Sequence, residues 1–216
     1  TYRFSDQLYR GQSRVSNPNN VSTTFHGITL NGDYRFSQEL SVGVSIPWIE
    51  GIREERGAPD RRLSGLGDLS MMVRWRPWAA ESDEHPMLSG ITLMTGLEFP
   101  TGEDNAQPFT GLTSPSLFQL GNGTFNPKLG VSYYHQLGDW SIFGSVLGTF
   151  PLGESDAKLS PGHYVQATLG GGFRLTENLQ LQRGVNGLFC SRDELDGEDV
   201  ENTGSVTLSV APALRW

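Results

Sequence analysis

The stretch Gly65-Leu66-Gly67-Asp68-Leu69-Ser70-Met71-Met72-Val73-Arg74-Trp75-Arg76-Pro77-Trp78 alternates from Asp68 onward. Leu69, Met71, Val73 and Trp75 leave one side of an extended chain, and Asp68, Ser70, Arg74 and Arg76 leave the other; only Met72 breaks the pattern. Period two marks a strand, because successive side chains on extended backbone point to opposite faces. A soluble sandwich alternates too. The fold therefore depends on whether other segments repeat the pattern at this length, and on how they are joined.

They do repeat it. The alternation predicts strands over Thr1–Gly11, Phe25–Phe36, Leu40–Trp48, Asp68–Trp78, Met87–Phe99, Phe125–Leu137, Trp140–Leu152, His163–Leu175, Leu179–Phe189 and Gly204–Trp216. Most span roughly 10 to 13 residues, the length a tilted strand needs to cross the apolar layer of a membrane, whereas soluble strands average about five or six. The connections alternate as well: short after Phe36, Trp78, Leu137 and Leu175, long after Trp48, Phe99, Leu152 and Cys190. Gly11–Asn20, Glu50–Ser64, Pro100–Asn122, Gly153–Gly162 and Ser191–Thr203 read as loops. Outer-membrane barrels place short turns on the periplasmic side and long loops outside.

Two of the short turns are alike, Tyr34-Arg35-Phe36-Ser37-Gln38-Glu39-Leu40 and Phe173-Arg174-Leu175-Thr176-Glu177-Asn178-Leu179, as an up-and-down meander of similar hairpins produces. Aromatics beside these turns, with Trp48, Phe99 and Phe150 at the loop side, would form the two interface girdles. The predicted fold is all-β: one up-and-down antiparallel transmembrane β-barrel domain over residues 1-216, with ten strands in this chain.

Composition agrees. No run approaches the roughly 18 apolar residues of a membrane-spanning helix. The net charge of −8 argues against nucleic acid as a partner, since phosphate binding wants a basic surface. The single cysteine, Cys190, makes no internal disulfide and no metal-site spacing.

With those residues placed, the chain resembles a family of bacterial outer-membrane barrels described as meta-pathway phenol-degradation (MetA-type) transporters. The resemblance rests on Gly65-Leu66-Gly67-Asp68-Leu69, on Leu97-Glu98-Phe99-Pro100-Thr101-Gly102-Glu103, on Gly121-Asn122-Gly123-Thr124-Phe125-Asn126-Pro127 and on the hairpin Tyr34–Pro47. It implies a barrel of about twelve strands in the outer membrane, and channel or uptake of small, often aromatic compounds. It also implies a further hairpin after the segment resembling Ala211–Trp216, so the last hairpin is expected to be lacking here.

The inward parity collects Asp33, Arg35, Asp68, Arg74, Arg76, Glu98, Lys128, Tyr134, Gln166, Arg174 and Arg215 as candidate lumen and substrate-binding residues. Arg35, Arg76, Arg174 and Arg215 would ring the periplasmic mouth and favour anionic solutes, because guanidinium binds carboxylates bidentately and stacks on rings. The alternative is that these cations pair with Asp33, Asp68 and Glu98 and fill the lumen, with Asp68 the nearest partner for an arginine on another strand. Loop Pro100–Asn122 is long enough to fold inward as a constriction.

Arg183 falls on the outward parity, where a charge at mid-depth costs about 2–4 kcal/mol, so a bulge near Gly184 is expected to shift its register. His135 and His163 fall outward near strand ends and read as interface histidines; no Ser-His-acid arrangement stands out, so no catalytic residue is assigned. Asp193, Glu194, Asp196, Glu198, Asp199 and Glu201 lack calcium-loop spacing and read as a solvated extracellular loop. No cofactor or metal is expected. The expected partners are outer-membrane lipid and lipopolysaccharide, a small-molecule solute and an envelope protein. A non-conducting scaffold barrel is the alternative function, and a lipid-modifying barrel enzyme a third.

Overall fold

A computed structural model describes residues 2–5, 8–10, 13–15, 22–54, 56–57, 61–80, 89–103, 120–155, 158–200 and 203–215. The strands in chain order are β1 (Tyr2–Ser5), β2 (Leu8–Arg10), β3 (Ser13–Val15), β4 (Ser22–Arg35), β5 (Leu40–Glu54), β6 (Arg61–Leu66), β7 (Leu69–Ala80) and β8 (Ser89–Phe99). Then come β9 (Asn126–Leu137), β10 (Trp140–Thr149), β11 (Leu159–Ser160), β12 (Tyr164–Thr176), β13 (Leu179–Cys190), β14 (Glu194–Leu195), β15 (Glu198–Asp199) and β16 (Ser205–Arg215). The main sheet runs β1-β4-β5-β7-β8-β9-β10-β12-β13-β16, with β6 beside β5. Every pairing along it is antiparallel between neighbours in the chain order of the long strands. That is the wall of an up-and-down barrel, with the ten strands of the sequence pattern.

The wall is inside-out relative to a soluble protein. Among the described residues the buried apolar side chains are Leu120 and Leu159, while Ser89, Thr124, Asn126, Gln136, Ser141, Thr149 and Ser155 are buried polar groups. On the other face Leu30, Leu169, Val206 and Leu208 are 69 to 76% exposed. Burying such a side chain is worth about 1.5–3 kcal/mol, so a whole face of them is stable only against lipid. Leu69, Met71, Val73 and Trp75 stand on this outer face, as the opening stretch predicts.

Several boundaries differ from the sequence reading. The first expected strand divides into β1 and β2, and the expected loop Gly11–Asn20 contains β3, which pairs with β2. The expected loop Glu50–Ser64 is largely a hairpin: β5 continues six residues past Trp48, and β6 pairs with it. Ile49, Gly51 and Ile52 extend the strand through the charged segment, and the turn includes Gly57 at φ 86°, a conformation glycine adopts without strain. The acidic segment Ser191–Thr203 is not irregular: β14 and β15 turn through Asp196-Gly197, both at positive φ, and β14 pairs with β11.

Two bulges re-aim side chains. Trp48 faces Leu66 but Ser45 faces Ser70, so Gly67-Asp68 holds one residue more than the opposite strand. Trp75 faces Leu93 and Trp78 faces Ile91, which places Pro77 in a bulge and keeps both tryptophans outward. The bulge expected near Gly184 is absent. β12 and β13 stay in register from Tyr164↔Cys190 to Arg174↔Gln180, and the irregularity lies between Arg174 and Thr176, where the chain bends into its turn. Arg183 therefore keeps its outward parity.

Candidate functional site: the inner face of the wall

Three sequence motifs meet at the base of the connection between β8 and β9. Asp68, displaced by its bulge, accepts the backbone N–H of Gly102 on Oδ1 and of Asn122 on Oδ2, both at 2.9 Å. Thr101 Oγ accepts the N–H of Leu69 at 2.8 Å and donates to the Gly67 carbonyl at 3.2 Å. Leu120 packs on the inner side of Gly65, where an added Cβ would come within 2.6 Å of its Cδ1. These glycines are seats for the loop base rather than flexible joints. Asp68 was expected to meet an arginine; it binds backbone instead, because the bulge turns it toward the loop ends. Burial pushes its carboxyl above the ordinary 3.8, Glu98 adds to the rise, and the N–H groups of Asn122, Gly102 and Thr101 oppose it. Residues 104–119 of the expected constriction lie outside the described residues.

Below this base the network continues into the lumen. Thr124 Oγ donates to Asn126 Oδ1 at 2.8 Å, and Asn126 Nδ2 donates to Glu98 Oε1 at 2.7 Å. Lys128 Nζ meets Glu98 Oε2 at 2.6 Å and Ser70 Oγ at 3.1 Å. The side chains of Lys128 and Glu98 are only 12% and 17% exposed, so each is neutralised by the other.

The periplasmic end is different. Arg35, Arg74 and Arg76 line a cavity of about 140 Å³ with Thr92, Ser41 and the turn Ser37-Gln38-Glu39. Arg74 pairs with Asp33 at 2.5 Å, with Gly43 leaving the room they occupy. Arg76 is tied to the turn, its N–H to the Glu39 carbonyl at 2.7 Å and its guanidinium to the Gln38 carbonyl. Arg35 and Arg174 make no ion pair among the described residues. Tyr134 donates to Gln136 Oε1 at 2.6 Å, and Gln136 Nε2 holds the Gly138 carbonyl of the next turn. Gln166 faces inward and is exposed. Of Arg215 the backbone is described, opposite Gln180; its side chain lies outside the described residues.

Between the two ends the inner face carries apolar groups that the sequence reading did not assign to the lumen. Met72 lies over Gly96, Met94 and Leu147 over Gly130, and Phe143 over Gly170; an added Cβ at those glycines would meet them at 2.4 to 3.1 Å. In the sequence Met72 is only a break in the alternation. The signal that could have found the patch is the pairing of these residues with inward glycines, which needs the register.

Above the wall, Asp193 accepts the N–H of Gly162 at 2.8 Å, Arg192 pairs with Asp199 at 3.2 Å, and Lys158 with Asp196 at 3.0 Å. Asp196 raises the Lys158 amine above its ordinary value by hydrogen bond and charge. The acidic connection is thus stitched to the β10–β12 connection. His135 stacks on Tyr133 and His163 lies against Phe150, as outer-face residues at the strand ends.

A ten-strand meander with an apolar outer face and a hydrogen-bonded polar inner face defines a bacterial outer-membrane β-barrel protein. The chain belongs to the family described as "Putative MetA-pathway of phenol degradation", which it matches over residues 21–216. Among solved structures it shares its fold with an outer membrane channel from Pseudomonas putida F1, at TM-score 0.69 and 16% identity, covering 100% of this chain and 79% of that one. Comparison with curated protein sequences gives no match.

Proposed function

We propose that the chain forms the wall of a channel that admits small aromatic or anionic solutes across the outer membrane. The observation that carries this reading is the division of the inner face. Exposed Arg35, with half-buried Arg74 and Arg76, offers a place for an anionic group at the periplasmic mouth, and Met72, Met94, Phe143 and Leu147 offer an apolar surface halfway up. A small solute with a ring and a negative charge satisfies both. The Pseudomonas putida neighbour is an outer membrane channel and the family description concerns phenol degradation, which support the same reading.

Planar-bilayer recording of the purified protein tests it. Stepwise conductance with anion preference, reduced by millimolar benzoate more than by an uncharged sugar, is expected. Silence in the bilayer would instead favour a non-conducting envelope scaffold, a reading supported by the neutralised Lys128–Glu98 network on the inner face of β7, β8 and β9. A lipid-modifying role has no support from the placement of His135 and His163 against aromatic rings at the strand ends.

A further inference from the structure

The outer face of the wall carries one charge where none is expected. Between the girdles, the outward positions of β4 to β16 among the described residues hold apolar, small or uncharged side chains, with Arg183 the single Asp, Glu, Lys or Arg. Its neighbours above and below on β13, Val185 and Leu181, are exposed apolar residues. The continuous register on both sides of β13 leaves no alternative orientation.

The position is specific in depth and in surroundings. The row Trp140↔Phe173↔Leu181↔Leu214 belongs to the periplasmic girdle, with the Trp140 and Phe173 rings 4.7 Å apart. Arg183 sits one outward position above that row, in Ile142↔Gly171↔Arg183↔Pro212. Two residues along a strand at the usual tilt amount to about 5 Å of depth, which an arginine side chain can span toward the interface. Gly171 on one side has no side chain, and Pro212 on the other is compact, so the surface beside Arg183 is a shallow notch. Among the described residues no carboxylate faces the guanidinium on β12, β13 or β16.

We propose that Arg183 holds the phosphate of a phospholipid in the periplasmic leaflet, with the lipid's glycerol region seated over Gly171. A guanidinium is always charged and presents a donor fork that matches phosphate oxygens. The short turn Thr176-Glu177-Asn178 below it fixes the leaflet, because short turns face the periplasm, where the leaflet is phospholipid. The partner chemistry is a phosphate diester anchored by acyl chains that run toward the midplane along Val185, Leu169 and Val210.

The test is native mass spectrometry of the full chain in neutral maltoside micelles, titrated with phosphatidylglycerol and, separately, with inorganic phosphate. Wild type is expected to retain one phosphatidylglycerol, Arg183→Lys to retain it more weakly, and Arg183→Leu to lose at least tenfold in affinity. Inorganic phosphate at equal concentration is expected not to compete. Equal retention by wild type and Arg183→Leu would overturn the proposal, and so would full competition by inorganic phosphate. A dimer that dissociates in Arg183→Leu would assign the guanidinium to a second copy and overturn it too. Should Arg183→Leu fail to fold, Arg183→Gln serves the same comparison.

Discussion

The two ends of the inner face use the same residue types to opposite effect. At the extracellular end Lys128, Glu98, Asn126 and Thr124 neutralise one another with side chains largely withdrawn from water. At the periplasmic end Arg74 and Asp33 also pair, but their side chains are 40% and 59% exposed, and Arg35 makes no ion pair among the described residues. Charge in the first place holds structure, because a buried ion without its partner is costly. Charge in the second remains available to a solute, because an exposed pair is worth about 0–1 kcal/mol and exchanges readily with water. The largest expected effect follows from the first. Lys128→Met leaves Glu98 inside the wall with only Asn126, and should lower unfolding free energy by roughly 3–5 kcal/mol in urea titrations monitored by tryptophan fluorescence. The double variant Glu98→Gln/Lys128→Met should recover most of it. A single variant as stable as wild type would break the contrast between the two ends.

A middle-sized effect belongs to Asp68. Asp68→Ala leaves the N–H groups of Gly102 and Asn122 without their acceptor, a loss of about 1–3 kcal/mol, felt locally as faster proteolysis between Phe99 and Phe125. Asp68→Asn keeps one acceptor oxygen and should lose less. The two variants also separate charge from hydrogen bonding through pH. Burial raises the Asp68 carboxyl in the folded protein, so the folded state binds a proton more readily than the unfolded chain. The stabilisation from that proton is complete below the ordinary carboxyl range and is lost as pH rises through the folded value. Stability of the loop base should therefore decline as pH rises above about 4, and Asp68→Asn should flatten that slope. An unchanged slope in Asp68→Asn would show that the Asp68 carboxyl is not its source.

Much of this architecture was legible in the residues, and the exceptions have physical causes. The strands of the main sheet announced themselves because lipid on one side forces strict alternation. The motifs Gly65–Leu69, Leu97–Glu103 and Gly121–Pro127 were visible as strings, yet their meaning was not: Gly102 and Asn122 lie 34 and 54 residues from Asp68, and only register brings them together. Parity put Asp68 on the inward side but could not show that a bulge would aim it at backbone rather than at an arginine. The hairpin β5–β6 was hidden because its outer part stands in water, where both faces can be polar and alternation fades. The apolar patch of Met72, Met94, Phe143 and Leu147 was hidden because an apolar side chain on an inner face reads as an error in period until the facing glycines are known.

The smallest expected effect sharpens the comparison from the other end. Arg74→Gln removes a cation whose partner is already half in water, so unfolding free energy should move by less than about 1 kcal/mol. Its effect should appear in permeation: with Arg74 gone, the mouth lined by Arg35 and Arg76 carries less positive potential, and the anion-over-cation preference should fall by about twofold at 0.1 M salt. Screening supplies the control. At 1 M salt the Debye length falls to about 3 Å, shorter than the cavity is wide, so wild type and Arg74→Gln should become indistinguishable. A difference that persisted at 1 M would mean that the arginine acts by shape rather than by field. Selection would then belong to the apolar patch above it. The double variant Glu98→Gln/Lys128→Met should leave this preference unchanged at both salt concentrations, because the pair it removes carries no net charge.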